Sequence, residues 1–237
     1  MIRALTALTA LLTVLAFAGC GDDDSDSSGA SGSSETTKTA AESGQECAKV
    51  EAPAPKPDGG AKKPTEKLDP AKTNTVTFQT SCGEFTVTLD VEGAPNTAAS
   101  FAALARSGFY DDTIFHRIVP GFVIQGGDPT GTGTGGPGYK TVDKPPATAT
   151  YTKGVVSMAK TAAEKPGTSG SQFYVVTADD AGLPPEYAIV GEVTDGMDTV
   201  MAIEALGTPT EQPSRRRSAL PRGRPAAHWR RRGAWTR

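Results

Sequence analysis

Three groups of residues in this 237-residue chain have types and spacing that could do chemistry. The first is the run Gly-Gly-Asp-Pro-Thr-Gly-Thr-Gly-Thr-Gly-Gly at 126–136. Glycine-rich loops cradle phosphates through backbone amides, but this one lacks the Gly-Lys-Ser/Thr ending that brings positive charge and a magnesium ligand. The run meets no basic residue before Lys140, and Gly, Pro and Thr at this density cannot open the helix that a dinucleotide loop needs. The second is Gly167-Thr168-Ser169-Gly170-Ser171, close to the sharp turn that exposes a serine nucleophile. Its closing glycine is absent, and the folded region offers only His116 as a base. The third is the thiols Cys20, Cys47 and Cys82. They are too few for a disulfide scaffold, and one histidine with scattered acids has no metal-ligand spacing.

Between residues 71 and 212 the chain has the pattern of a folded domain. Thr75 to Thr80 alternates apolar and polar, Cys82-Gly83 turns, and Glu84 to Leu89 alternates again, which predicts a hairpin. Pro95-Asn96 opens a helix with Asn96 as the expected N-cap, and Gly108 closes it. Short apolar strands are expected at 115–118, 122–124, 155–158, 172–176 and 188–193, with a second short helix at 197–205. Many short strands, Gly/Pro turns and two isolated helices point to a mainly β fold, a closed barrel with helical caps.

Composition separates the rest of the chain from that domain. Apolar residues make up 37% of the whole and the formal net charge is −3. That average hides nine arginines between Arg215 and Arg237; residues 1–212 carry 15 bases against 27 acids, a net charge of −12. An acidic body of this kind excludes a nucleic-acid-binding core. The apolar content and the lack of internal periodicity exclude a multi-span membrane protein and a repeat solenoid.

Residues 1–19 read as a secretory signal: Arg3 near the start, then an apolar run about 15 residues long, short of the ~20 that span a bilayer. Phe17-Ala18-Gly19-Cys20 resembles a bacterial lipobox, with Phe17 in place of the usual Leu. Lipidation of Cys20 would anchor the protein outside the cytoplasmic membrane; ordinary cleavage near Ala18 is the alternative. Residues 20–70 are rich in Ser, Gly, Thr, Asp, Pro and Lys, which predicts a disordered tether. In an oxidising compartment Cys47 and Cys82 are a candidate disulfide, with two independent thiols as the other reading.

The stretch Phe115-His116-Arg117-Ile118-Val119-Pro120-Gly121-Phe122-Val123-Ile124-Gln125-Gly126-Gly127-Asp128 closely resembles the signature of cyclophilin-type peptidyl-prolyl cis-trans isomerases. The resemblance continues in register at 154–159, 170–174 and 183–191. It implies an eight-stranded antiparallel barrel capped by two helices. It also implies rotation about X–Pro bonds in proline-containing polypeptides, a reaction that needs no nucleophile, metal or cofactor. By this resemblance Arg117, Phe122 and Gln125 are the catalytic set. Val123, Tyr174, Leu183 and Tyr187 match the proline pocket, and Ala159, Lys160 and Gln172 the groove for the preceding residue. His116 is expected to pack structurally. Val123 replaces the more frequent Met, Lys160 the common Asn, and Tyr187 a frequent His. Gly182 stands where some members carry a Trp, which implies weak cyclosporin binding with catalysis retained.

The family normally finishes with one more apolar strand after about residue 206. Here the chain becomes arginine-rich from 213 to 237, with both tryptophans and no alternating run. A frame shift, which would cost the barrel its last strand, is the favoured reading. A basic tail for anionic lipid and a solvated extension are the alternatives. The expected protein is a monomeric, lipid-anchored isomerase that acts on extracytoplasmic proteins and binds no nucleic acid. A non-catalytic module that grips proline segments through the same groove is the competing reading, as is a generic surface adhesin.

Overall fold

In the computed structural model, residues 46–208 are described. The expected signal at 1–19, the lipidation site Cys20, the first half of the tether and the arginine-rich tail at 213–237 lie outside them.

Strand β1 (Thr75–Thr80) and strand β2 (Gly83–Leu89) form the expected hairpin, from Thr75 opposite Thr88 to Thr80 opposite Gly83. Alternation sends Val76, Phe78, Phe85 and Val87 into the core and the threonines outward. Phe78 stacks on Phe85 with ring centroids 4.9 Å apart. Helix α1 (Pro95–Arg106) follows and buries Ala98, Phe101, Ala102, Leu104 and Ala105 against the hairpin's inner face.

Asn96 is not the cap of this helix. The N-cap position is Ala94, and Pro95, which has no N–H to satisfy, takes the first turn. The capping acceptor comes from a distant loop: the Asp143 carboxylate accepts the Thr97 N–H at 2.6 Å and the Asn96 side-chain amide at 2.7 Å. A carboxylate there also meets the positive end of the helix dipole. Gly108 does stand just past the helix, with φ 71°, while the Phe109 N–H reaches back to Leu104 O.

The remaining elements are β3 (Arg117–Val119), β4 (Val123–Gly126), β5 (Thr141–Val142), β6 (Val155–Met158), β7 (Thr168–Ser169), β8 (Phe173–Val176), β9 (Ile189–Asp195) and α2 (Met197–Glu204). Seven strands form one antiparallel sheet in the order β1-β2-β9-β6-β8-β4-β3, and β5 pairs with β7 separately. This corrects the expected closed eight-stranded barrel: among the described residues the sheet runs from β1 to β3 and does not close on itself. The residues where a further strand was sought lie mostly past 208, outside the described part.

The sheet is apolar on both faces at its centre. Along β8, Phe173 and Val175 enter the main core, while Tyr174 and Val176 enter a second cluster on the opposite face. A strand buried on both sides reads as a continuous apolar run, and all four β8 residues are buried.

Residues 46–70, expected as tether, lie along the domain instead. Cys47 is disulfide-bonded to Cys82 in the hairpin turn, and Ala48 N–H donates to Ser81 O at 2.7 Å. Ala61 and Leu68 pack on the core. Composition tests whether a segment can bury its own surface; this one uses a surface that the domain has already built.

Candidate active site

Strand register assembles the site. Arg117 on β3 faces Gln125 on β4, Gln125 faces Tyr174 on β8, and Tyr174 faces Ser157 on β6. These four residues therefore form a row across one face of the sheet. A β-bulge between Val156 and Ser157 shifts the pairing of β6 with β9 beside this row. The turn Pro120-Gly121 brings Phe122 back under the arginine, whose guanidinium carbon lies 5.9 Å from the ring centroid.

Next to the row sits the second apolar cluster. Val123, Tyr151, Tyr174 and Val176 are its buried centre, and Phe122, Ala159, Leu183 and Tyr187 pack against it half-exposed. Tyr187 and Tyr174 meet edge to face at 5.8 Å. Burial pushes the Tyr174 phenol well above its ordinary range, so it stays neutral. Tyr151 is the residue that sequence reasoning missed. It is fully buried, donates its hydroxyl to Tyr187 O at 2.8 Å and accepts the Tyr187 N–H at 3.0 Å. Both polar groups of the Tyr187 backbone are thus held from beneath. Tyr151 precedes a turn and belongs to no alternating run, so no periodicity marked it.

A groove of about 250 Å³ continues from the row, lined by Gln125, Ala159, Lys160, Gln172 and the loop 133–136. Ala159 belongs to both the cluster and the groove, so the two are contiguous. Gln125 Nε2 donates to Gln172 Oε1 at 3.1 Å, and Gln172 Nε2 donates to Gly133 O and Gly135 O at 3.0 and 2.9 Å. The glycine-rich loop is therefore a groove wall held by a glutamine. The Lys160 side chain is only 3% exposed; its ammonium pairs with Glu186 at 2.8 Å and lies 5.3 Å from the Tyr187 ring centroid. Lys140 and Glu164 form a second ion pair at 2.8 Å in the groove lining, beside the first: the Lys160 ammonium also donates to Glu164 O at 3.3 Å.

Behind the row, Asp128 is fully buried. Burial alone would raise its carboxyl, but hydrogen bonds from Thr130, Gly133 and Gly135 outweigh that and hold it below the usual range. The carboxylate also accepts the Thr132 N–H at 3.0 Å, so it organises the start of the loop. His116 lies nearby with both ring nitrogens buried and without hydrogen-bond partners among the described residues. Burial lowers its pKa, Asp128 opposes that, and Arg117 adds to it.

All ten sequence-predicted catalytic and binding residues fall within this one surface. Residues 75–219 match the family model described as "Cyclophilin type peptidyl-prolyl cis-trans isomerase/CLD". The chain belongs to the cyclophilin family. "Peptidyl-prolyl cis-trans isomerase-like 1" of Aspergillus fumigatus is 43% identical over 140 residues, which cover 57% of this chain and 85% of that protein. Among solved structures, a cyclophilin-type peptidyl-prolyl cis-trans isomerase of Cryptosporidium parvum superposes with a TM-score of 0.59 at 32% identity, over 67% of this chain and 98% of that one. A structure of the same protein in the presence of the dipeptide Ala-Pro gives 0.57 at 34% identity, over 62% and 94%.

This cyclophilin is a peptidyl-prolyl cis-trans isomerase, and its family model begins at Thr75, so residues 46–74 are an addition to the matched domain. Gly182, where an indole was missed in the sequence, is exposed with φ 61° and presents no side chain to the cluster. Among the described residues of this cyclophilin no helix is long and apolar enough to cross a membrane.

Proposed function

We propose that this cyclophilin uses Arg117, Phe122 and Gln125 to turn X–Pro bonds in proteins that fold outside the cytoplasmic membrane. Amide resonance sets a barrier of ~18–20 kcal/mol to that rotation. A catalyst must hold the twisted amide better than either planar form. Twisting localises a lone pair on the prolyl nitrogen, and a fixed cationic donor favours that state. Arg117 is the donor: it is always charged, and its planar fork is steadied above Phe122. The proline ring rests on Phe122, Val123, Tyr174, Leu183 and Tyr187, while Gln125 hydrogen-bonds the substrate backbone. Ala159, Lys160 and Gln172 receive the residue before proline.

The observation that carries this reading is the cross-strand pairing of Arg117 with Gln125, which sets a cation and an amide side by side at the edge of an apolar cluster. The test is X–Pro isomerisation by the wild-type chain and by Arg117→Ala. Equal rates would defeat the catalytic role of the arginine.

A lipid anchor at Cys20 with export by residues 1–19 completes the proposal. The Cys47–Cys82 disulfide supports it, because such bonds persist in oxidising compartments. Expression of the full chain and of Cys20→Ser in a bacterial host, followed by membrane fractionation, tests this. Release of only the serine variant is expected, and equal distribution of both overturns the anchor.

A further inference from the structure

Residues 46–74 precede the matched domain, yet they do more than cover it. Their middle runs beside the glycine-rich loop. Lys56 N–H donates to Pro129 O at 2.8 Å, Gly59 N–H to Gly136 O at 2.9 Å, and Ala61 N–H to Pro137 O at 3.1 Å. Asp58 Oδ1 accepts the Gly136 N–H at 2.8 Å, so both backbone polar groups of Gly136 are held by the Asp58-Gly59 pair. The approach needs glycine on both sides: Gly59 and Gly138 have φ 76° and 88°, and a Cβ on Gly138 would sit 3.2 Å from Gly59 Cα. Lys63 Nζ also donates to Lys140 O at 2.8 Å.

Gly133, Gly135, Gly136 and Lys140 line the groove that continues from Gln125. One wall is thus held from the groove side by Gln172 and from the outside by residues 46–74, which form a strap across the domain. The strap is fixed at its far end by the Cys47–Cys82 disulfide and midway by Lys56, whose ammonium donates to Gly108 O and Phe109 O at 3.2 and 3.0 Å. Without these contacts a glycine-rich wall has more backbone freedom to lose when substrate binds than any other sequence would.

We propose that Asp58 and Gly59 are positioning residues for the isomerase: the strap pre-organises the groove wall and so raises affinity for the polypeptide segment that precedes the X–Pro bond. This rests on the reading that Ala159, Lys160 and Gln172 receive residue X, and it extends that reading: the residues ahead of X run on along the wall of Gly133, Gly135 and Gly136, which a peptide starting at X does not reach. The effect belongs in KM for substrates long enough to reach the groove, and not in kcat, because neither residue touches the row that holds Arg117.

The experiment compares the full chain with Asp58→Ala, Asp58→Asn and Gly59→Pro on two peptides. A long peptide has several residues before the X–Pro bond, and a short one starts at X. Asp58→Ala and Gly59→Pro are expected to raise KM for the long peptide by about threefold to tenfold, with kcat and the short peptide unchanged. Asp58→Asn keeps an Oδ1 acceptor and is expected to restore KM to within about twofold of wild type. A wild-type chain with no preference for the long peptide overturns the groove reading and this proposal with it. A preference that survives in both strap variants, or an equal shift on both peptides, overturns the strap proposal alone. Thermal melts identify any variant that fails to fold, and the Asp58 pair carries the comparison if Gly59→Pro does.

Discussion

The Arg117 guanidinium carbon stands 5.9 Å from the centre of the Phe122 ring. The chain reverses between them through Pro120-Gly121, so the proposed catalytic cation and the proposed floor of the proline pocket come from one tight connection. A guanidinium over an aromatic face is attracted by the ring's quadrupole, and its plane is restricted before substrate arrives.

Arg117→Ala is therefore expected to lower kcat/KM by about 100-fold, the scale seen when a single electrostatic donor to a transition state is removed. Arg117→Lys restores only part of the rate, because an ammonium keeps the charge and loses the planar fork. Steady-state isomerisation of one X–Pro peptide by all three chains checks this. A lysine variant as slow as alanine would show that geometry, and not charge, dominates.

The turn beneath that pair is held by α2. Glu204, nearly buried at the helix end, accepts the Gly121 N–H at 2.7 Å, and Gly121 has the left-handed φ of 71°. Glu204→Ala leaves that donor without its acceptor and is expected to cost about 1–2 kcal/mol of stability. Activity falls with it, since Arg117 and Phe122 flank the turn. Glu204→Gln keeps an acceptor and is expected to lie close to wild type. Urea unfolding and isomerisation measured on both variants separate these outcomes.

The Cys47–Cys82 bridge closes a loop of 35 residues between the strap and the hairpin turn. Loop-closure entropy gives a stabilisation of about 2–4 kcal/mol at that length. Reductant, or Cys47→Ser with Cys82→Ser, is expected to lower the urea midpoint accordingly and to expose the strap to protease. An unchanged midpoint would show that the unfolded chain gains little freedom when the bridge is cut.

His116 makes stability pH-dependent on the acid side. Burial lowers its folded-state pKa below the ordinary 6.5, so the unfolded chain binds the proton more readily. Its contribution is complete above about pH 6.5 and is lost as pH falls through that value toward the folded-state pKa. Unfolding free energy should decline from pH 7.5 to pH 5, and His116→Asn should flatten that decline. Asp128, also held low, contributes in the same direction only nearer the carboxylate range.

The candidate site residues were legible through the resemblance of the motif at 115–128, and the alternation of strand side chains with a period of two explains how they come together. Once Arg117, Gln125 and Tyr174 are on strands, register alone puts them on one face. The cap of α1 was read two residues late because Asn96 has the right type for a cap, while the N-cap position is Ala94 and the acceptor that serves is Asp143, 46 residues from Thr97. Tyr151 gave no signal, because its importance comes from hydrogen bonds across 36 residues to Tyr187. The tether was read from its own composition, which says nothing of a partner surface, and residues 46–70 found one on the loop at 129–140.

By itself the sequence determined the family, through the residue order of the motif at 115–128, and the mainly β character, through short-range periodicity; the candidate site residues came from the resemblance. Only the tertiary structure decided that the sheet stays open from β1 to β3 among the described residues, that a distant aspartate caps α1, and that a strap holds the groove wall. Each of these depends on which groups lacking a local partner come within about 3 Å of one another, and a one-dimensional pattern carries no information about that distance.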